Sequence, residues 1–113
     1  MAKYKVDITG INTSEIEVLS NEEMTNLFAQ YRMGNLDAKD RLINGNLKLV
    51  LSVLRNFNKG NVNLDDLFQV GVIGLIKAID NFDLSYGLKL STYAVPLIVG
   101  EIKRYIRDNT LVR

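Results

Sequence analysis

Apolar residues recur at intervals of three and four in four stretches of this chain, and polar or glycine-containing segments separate them. The first series is Met24, Leu27, Phe28 and Tyr31, ending at Gly34. Ser20 and Glu23 stand at capping-box spacing ahead of it, so the spacing predicts a helix over 21–33. The second series is Leu42, Ile43, Leu47, Val50, Leu51, Leu54 and Phe57, with Asp37 as the expected cap and an end near residue 58. Gly45 inside it costs about 1 kcal/mol relative to alanine, which implies a close approach or a bend at that point. Beyond the turn "NKGNVN", Asn63 is placed to cap a third helix carrying Leu67, Phe68, Gly71, Leu75, Ile76 and Ile79.

Val70, Val72 and Ile73 spread apolar character around most of that third helix. A helix of this kind is either central to the core or covered by a partner. The last stretch, "STYAVPLIVGEIKRYIRDN", opens at Ser91 and meets Pro96 about five positions in. Proline lacks the N–H, crowds the preceding turn and pushes Val95 from helical angles, so the expectation is one short turn, a kink, and a fresh helix over 97–108. Ile98, Ile102, Tyr105 and Ile106 then face inward, with Lys103, Arg104 and Arg107 outward. The expected fold class is all-α, a compact bundle of about four helices. Only "YKVDITGI" near the start reads as extended, either as a flexible arm or as a strand added to something else.

Composition narrows the chemistry. With 47% hydrophobic and 24% charged residues in 113, the chain suits one compact domain. It has no cysteine and no histidine, so disulfides, thiolate metal sites and histidine-based hydrolysis are excluded, and a reducing cytoplasmic setting is compatible. The longest apolar runs, "NLKLVLSVL" and "AVPLIVG", are too short to cross a bilayer, and "MAKYKVDITG" lacks the apolar centre of a signal peptide. A soluble intracellular protein is expected, with no cofactor or metal. An enzyme is the weakest reading: Asp65 and Asp66 are adjacent carboxylates, and helical neighbours do not share a face.

Charge is nearly balanced at +1 overall but unevenly placed. Residues 1–24 carry two bases against five acids, while 86–113 carry five bases against two acids. An acidic front and a basic back allow a polyanion to be held at one end, and equally describe a solvated helix tail. Before the basic face, "NFDLSYGLKLSTY" interleaves Phe82, Tyr86 and Tyr93 with Lys89, Ser91 and Thr92. Rings that stack on bases beside cations that track phosphates suit a single-stranded nucleic acid, although most rings at such spacing are core.

In order and spacing, "NLKLVLSVL", "DLFQVGVIGLIKAIDNFD" and "STYAVPLIVGEIKRYIRDN" resemble the core domain of bacterial RNA polymerase sigma factors of the housekeeping-related family. The likeness covers about 20–109. "STYAVP" followed by "GEIKRY" resembles the sporulation and general-stress branch, and "VDITGINTSEIEVLSNEEM" resembles its late forespore members. The resemblance implies a promoter-recognition module without catalysis of its own, working in the bacterial cytoplasm, in the forespore. Residues 1–19 would be an N-terminal arm, 20–109 the core domain (regions 1.2 to 2.4) and 110–113 the start of a linker to further domains of a longer polypeptide.

Specific roles are implied residue by residue. The helix with "DLFQVGVIGL" would dock on the coiled coil of the polymerase's largest subunit through Asp66, Gln69, Val70, Val72 and Ile76. Val70 and Val72 stand where the family usually has glutamate and asparagine, and a greasier patch there favours an anti-sigma protein as a second partner. Phe82, Tyr86, Lys89, Thr92 and Tyr93 would form the pocket for a flipped adenine of the promoter minus-ten element, with Asn46 and Lys48 at a second base pocket downstream. Pro96 and Leu97 replace the adjacent tryptophans that commonly wedge the duplex open, which implies weaker spontaneous melting. Gly100 and Lys103 replace the duplex-reading glutamine and threonine. Lys103 is therefore the candidate base reader, and Arg104 and Arg107 are candidate phosphate clamps.

Overall fold

The structure, a computed structural model, describes residues 18–57 and 63–111, with side chains to 108. The stretch "YKVDITGI", most of the turn "NKGNVN" and the final two residues lie outside the described residues. Five α-helices and two short 3-10 turns are found among them: α1 (Asn21–Arg32), α2 (Leu36–Asn44), α3 (Leu47–Leu54) with a turn at Arg55–Phe57, α4 (Leu64–Asn81), a turn at Leu84–Tyr86, and α5 (Leu90–Leu111). The all-α class is as the periodicity predicts.

Helix α1 begins where its capping box places it. The Glu23 N–H donates to Ser20 Oγ at 3.1 Å, and the Ser20 N–H donates to Glu23 Oε1 at 2.9 Å. Two N–H groups that a helix start leaves without partners are thereby satisfied, a contribution of about 1 kcal/mol. Asn63 does the same for α4, accepting from Asp65 N at 2.8 Å and Asp66 N at 3.2 Å.

The expected second helix is divided. Asn35, not Asp37, caps α2, and the helix stops at Gly45. Two contacts explain the break. A Cβ on Gly45 would lie 2.4 Å from the buried Leu19 side chain, so the chain leading into α1 packs directly on this glycine. The Asn46 side-chain amide also donates to the Leu42 carbonyl at 2.7 Å, taking the acceptor that a continuous helix would offer to the Asn46 N–H. Helix α3 starts afresh at Leu47 and buries Leu47, Val50, Leu51, Val53 and Leu54.

The last helix differs from its expectation in the opposite sense. Neither Ser91 nor Pro96 marks a boundary, because α5 runs without interruption from Leu90 and carries Pro96 inside. The proline removes one backbone donor near the helix start. Ala94, Ile98 and Ile102 flank it and are fully buried, so packing against α4 holds the helical path. The core itself is assembled from α4 (Leu67, Phe68, Leu75, Ile79) set between α5 (Ile98, Ile102) and the faces of α2 and α3 (Leu42, Ile43, Val50). Gly71 and Gly74 are needed for that approach: a Cβ on Gly71 would come within 2.7 Å of Val50 Cγ1, and one on Gly74 within 2.8 Å of Ile98 Cα.

Candidate nucleic-acid and docking surfaces

The residues from 82 to 93 leave α4, turn once and enter α5, and this path gathers three rings. Phe82 lies 5.8 Å from Tyr86 and 5.6 Å from Tyr93, and the two tyrosines are 5.6 Å apart. The Asp83 carboxylate accepts from Ser85 N at 2.9 Å, which caps the Leu84–Tyr86 turn and holds the Asp83 pKa below its usual value. Gly87 takes a φ of 72°, the left-handed conformation that lets the turn reverse into α5.

Within this cluster the three rings have different parts. Phe82 is only 2% exposed and packs on Phe28 at 5.2 Å, so it forms the floor of the cluster rather than the exposed wall expected of it. Tyr86 is 49% exposed and Tyr93 is half-buried, and these rings offer the accessible faces. Lys89 is exposed and lines a cleft of about 460 Å³ together with Met24, Thr25, Phe28 and Phe82. Thr92 is exposed one position before Tyr93.

A second concavity of about 300 Å³ is lined by Asn46, Lys48, Leu49, Ser52, Arg55 and Ser91. Asn46 is half-buried, with its amide committed to Leu42 O and near Met24 Sδ at 3.7 Å, while Lys48 is exposed. Because Ser91 borders this hollow and Lys89 the first, the start of α5 separates two clefts on one edge of the molecule.

Further along α5, Pro96, Leu97, Gly100, Lys103, Arg104 and Arg107 line an open groove of about 610 Å³. All three cations are exposed. Arg104 donates to both Glu101 oxygens at 3.1 Å, and Lys77 of α4 donates to the same carboxylate at 2.6 Å. The Lys77 bond, reinforced by Arg104, holds the Glu101 pKa below its usual value despite partial burial. Arg107 lies 3.3 Å from Asp108, whereas Lys103 carries no ion pair among the described residues.

The outer face of α4 also departs from expectation. Val72 is 2% exposed and packs in the core, not on the outer face where it was expected. Its replacement on the surface is Ile73, 47% exposed, which stands one helical turn beyond Gln69 and two beyond Asp66. Sequence reasoning missed Ile73 by treating the apolar excess as uniform around the helix, although the spacing 66, 69, 73, 76 marks it. Val70 and Ile76 are half-buried against the core at the edges of this strip. Asp66 is exposed and accepts from Tyr105 OH at 3.2 Å. Burial, together with that bond, raises the Tyr105 pKa.

Among the described residues no helix is long and apolar enough to cross a membrane. None of their acidic residues gather in a group able to hold a metal ion. The arrangement offers rings and hydroxyls around the start of α5, cations further along the same helix, and a mixed apolar and polar strip on α4.

The profile of the family described as Sigma-70 region 2 matches residues 42–111, which contain α3, α4 and α5. The chain is 57% identical over 114 residues to the RNA polymerase sigma-G factor of Bacillus subtilis (strain 168), covering 100% of this chain and 44% of that protein. A Bacillus thuringiensis subsp. kurstaki protein that carries the sigma-G designation is 55% identical over 113 residues, 100% of this chain and 90% of that one. The RNA polymerase sigma-F factor of Bacillus subtilis (strain 168) is 47% identical over 95 residues, 84% of this chain and 37% of that protein. The chain thus spans less than half the length of the two Bacillus subtilis relatives. On the matched span and the identities along it, the chain belongs to the Sigma-70 region 2 family.

Proposed function

We propose that this chain is a promoter-recognition domain of a sporulation sigma factor, spanning 20–109, that docks on RNA polymerase through α4 and takes bases of the minus-ten element at the edge formed by the 82–93 segment and α5. The observation that carries the reading is the pairing of two accessible tyrosine rings, Tyr86 and Tyr93, 5.6 Å apart, with exposed cations on the helix that follows. Stacking is worth about 1–3 kcal/mol per base and tolerates any base, while cations hold the phosphates. Extruding a base costs a few kcal/mol, which one stack and edge hydrogen bonds offset. The edge takes the non-template single strand, with Asn46 and Lys48 at the downstream base. Lys103 reads a base edge, and Arg107 clamps phosphate. Arg104, held by both oxygens of Glu101 where Arg107 has one longer bond to Asp108, is the second clamp.

On α4, Asp66, Gln69, Ile73 and the rims of Val70 and Ile76 contact the coiled coil of the polymerase's largest subunit. The apolar share of this strip also fits an anti-sigma protein competing for the same face. The chain works in the bacterial cytoplasm, in the forespore. A titration tests the reading: the domain is mixed with the isolated coiled coil, and a fluorescent minus-ten single strand is then added. Coiled-coil binding followed by tighter strand binding is the expected result. A folded domain that ignores the coiled coil transfers α4 to the competing partner and refutes polymerase docking.

A further inference from the structure

Arg32, the last residue of α1, is exposed yet engaged on three sides. Its guanidinium donates to the Phe82 carbonyl. It lies 6.0 Å from the centre of the Phe28 ring and 5.8 Å from that of Tyr31. Tyr31 is itself fixed from the far side, because its hydroxyl donates to Asp80 at 2.5 Å and Lys39, ion-paired with Asp80 at 3.1 Å, sits over its ring. The cation is therefore confined where α4 ends, since Phe82 directly follows the last helical residue, Asn81.

What Arg32 holds is the root of the aromatic loop. Phe82 is the ring on which both Tyr86 and Tyr93 rest, and its backbone oxygen is the atom that Arg32 grips. The next residue, Asp83, caps the turn that carries Tyr86, and its pKa is lowered first by the Ser85 N–H and additionally by the charge of Arg32. A helix about fifty residues upstream of Tyr86 thus holds the loop at its first residue, through the Phe82 carbonyl.

We infer that Arg32 is the positioning residue of the aromatic cluster: by tying the start of the 82–87 loop to the end of α1, it fixes the separation and tilt of the Tyr86 and Tyr93 rings. It touches no base. The inference rests on the base-capture reading for the identity of the ligand, while the ring positions are a property of the free domain. A guanidinium with one bond to a carbonyl and two rings beside it is hard to replace. Lysine keeps the charge but loses the planar group that lies against the rings.

The test uses this chain with Arg32→Ala, Arg32→Gln and Tyr93→Ala. Nuclear Overhauser effects among Phe82, Tyr86 and Tyr93 are recorded without ligand, affinity for a fluorescent minus-ten single strand is measured with the polymerase coiled coil present, and circular dichroism follows the fold. In Arg32→Ala the Overhauser effect between Phe82 and Tyr93 is expected to vanish at unchanged helix content, and the strand to bind about tenfold more weakly, the scale of one charge-assisted hydrogen bond. Unaltered ring-to-ring effects together with wild-type affinity overturn the inference. If Arg32→Ala does not fold, Arg32→Gln decides: disappearance of the Phe82–Tyr93 effect supports the positioning role, and its persistence refutes it. If Tyr93→Ala binds the strand normally, base capture fails, and the ligand-free Overhauser effects of the Arg32 variants alone judge the positioning role.

Discussion

Gly74 of α4 lies against the backbone of Ile98 in α5 so closely that a methyl group on it would stand 2.8 Å from the Ile98 Cα and 2.9 Å from the Leu97 carbonyl oxygen. The obstacle is main chain, which cannot rotate away. Gly74→Ala should therefore force the two longest helices apart, and overpacking of this kind costs about 1–3 kcal/mol, more than the helix-propensity gain of alanine. Gly100 is the internal control. Nothing lies within 4 Å of its would-be Cβ, so Gly100→Ala should raise stability by about 0.4–1 kcal/mol. Thermal melting compares the two, and a fall in melting temperature for Gly100→Ala would contradict the open space at that position.

Neighbouring residues on α4 should behave differently. Val72→Asp places a carboxylate in the core and should abolish cooperative folding. Ile73→Asp combined with Gln69→Ala changes only the outer strip and should leave the melting curve near that of the wild type while abolishing coiled-coil capture. Capture retained by the folded double variant would remove α4 from the docking surface.

Tyr93→Ala should leave coiled-coil binding intact and weaken the minus-ten single strand by about ten- to hundredfold, the range expected for one lost stack. Loss of coiled-coil binding in that variant would contradict a role confined to bases.

Lys103 and Arg107 occupy the same groove but are assigned different tasks. Lys103→Ala should relax base preference at the upstream edge of the element. Arg107→Ala should weaken all sequences alike and flatten the salt dependence by about one unit. Binding to a panel of promoter sequences at several salt concentrations separates them, and identical effects would merge reader and clamp.

Glu101 gives the fold a measurable acid response. Its pKa is held below the usual 4.5 by Lys77 and Arg104, so the unfolded chain binds the proton more readily than the folded one. The resulting stability is present above the unfolded value and is lost as the pH falls through the folded one. Glu101→Gln should lower the melting temperature at pH 7, and the difference from wild type should shrink below pH 4.5 as both become neutral at that site. A difference that stayed constant across this range would mean that the carboxylate charge contributes nothing.

Where the pattern of residues met local rules, it was sufficient. The capping box at Ser20, the Asn63 cap, the inward set Ile98 and Ile102, and the all-α class depend on interactions within a few positions of each residue, and all were legible. The likeness carried by three motifs also pointed to the right family. The break at Gly45 was half legible, as a position needing close approach or a bend, but the residue that approaches, Leu19, was not.

By itself, then, the sequence determined where helices begin, which faces are apolar and which side chains bear charge or rings, because these follow from periodicity and capping. Tertiary structure decided the rest. It carried α5 through Pro96, because buried neighbours on either side outweigh one missing hydrogen bond. It put Val72 inside and Ile73 outside, because on a helix apolar nearly all round only the positions of the packing partners choose the surface. It also brought Arg32 of α1 to the Phe82 carbonyl, a contact across fifty residues that no local pattern encodes, since such pairs exist only once separate helices have packed.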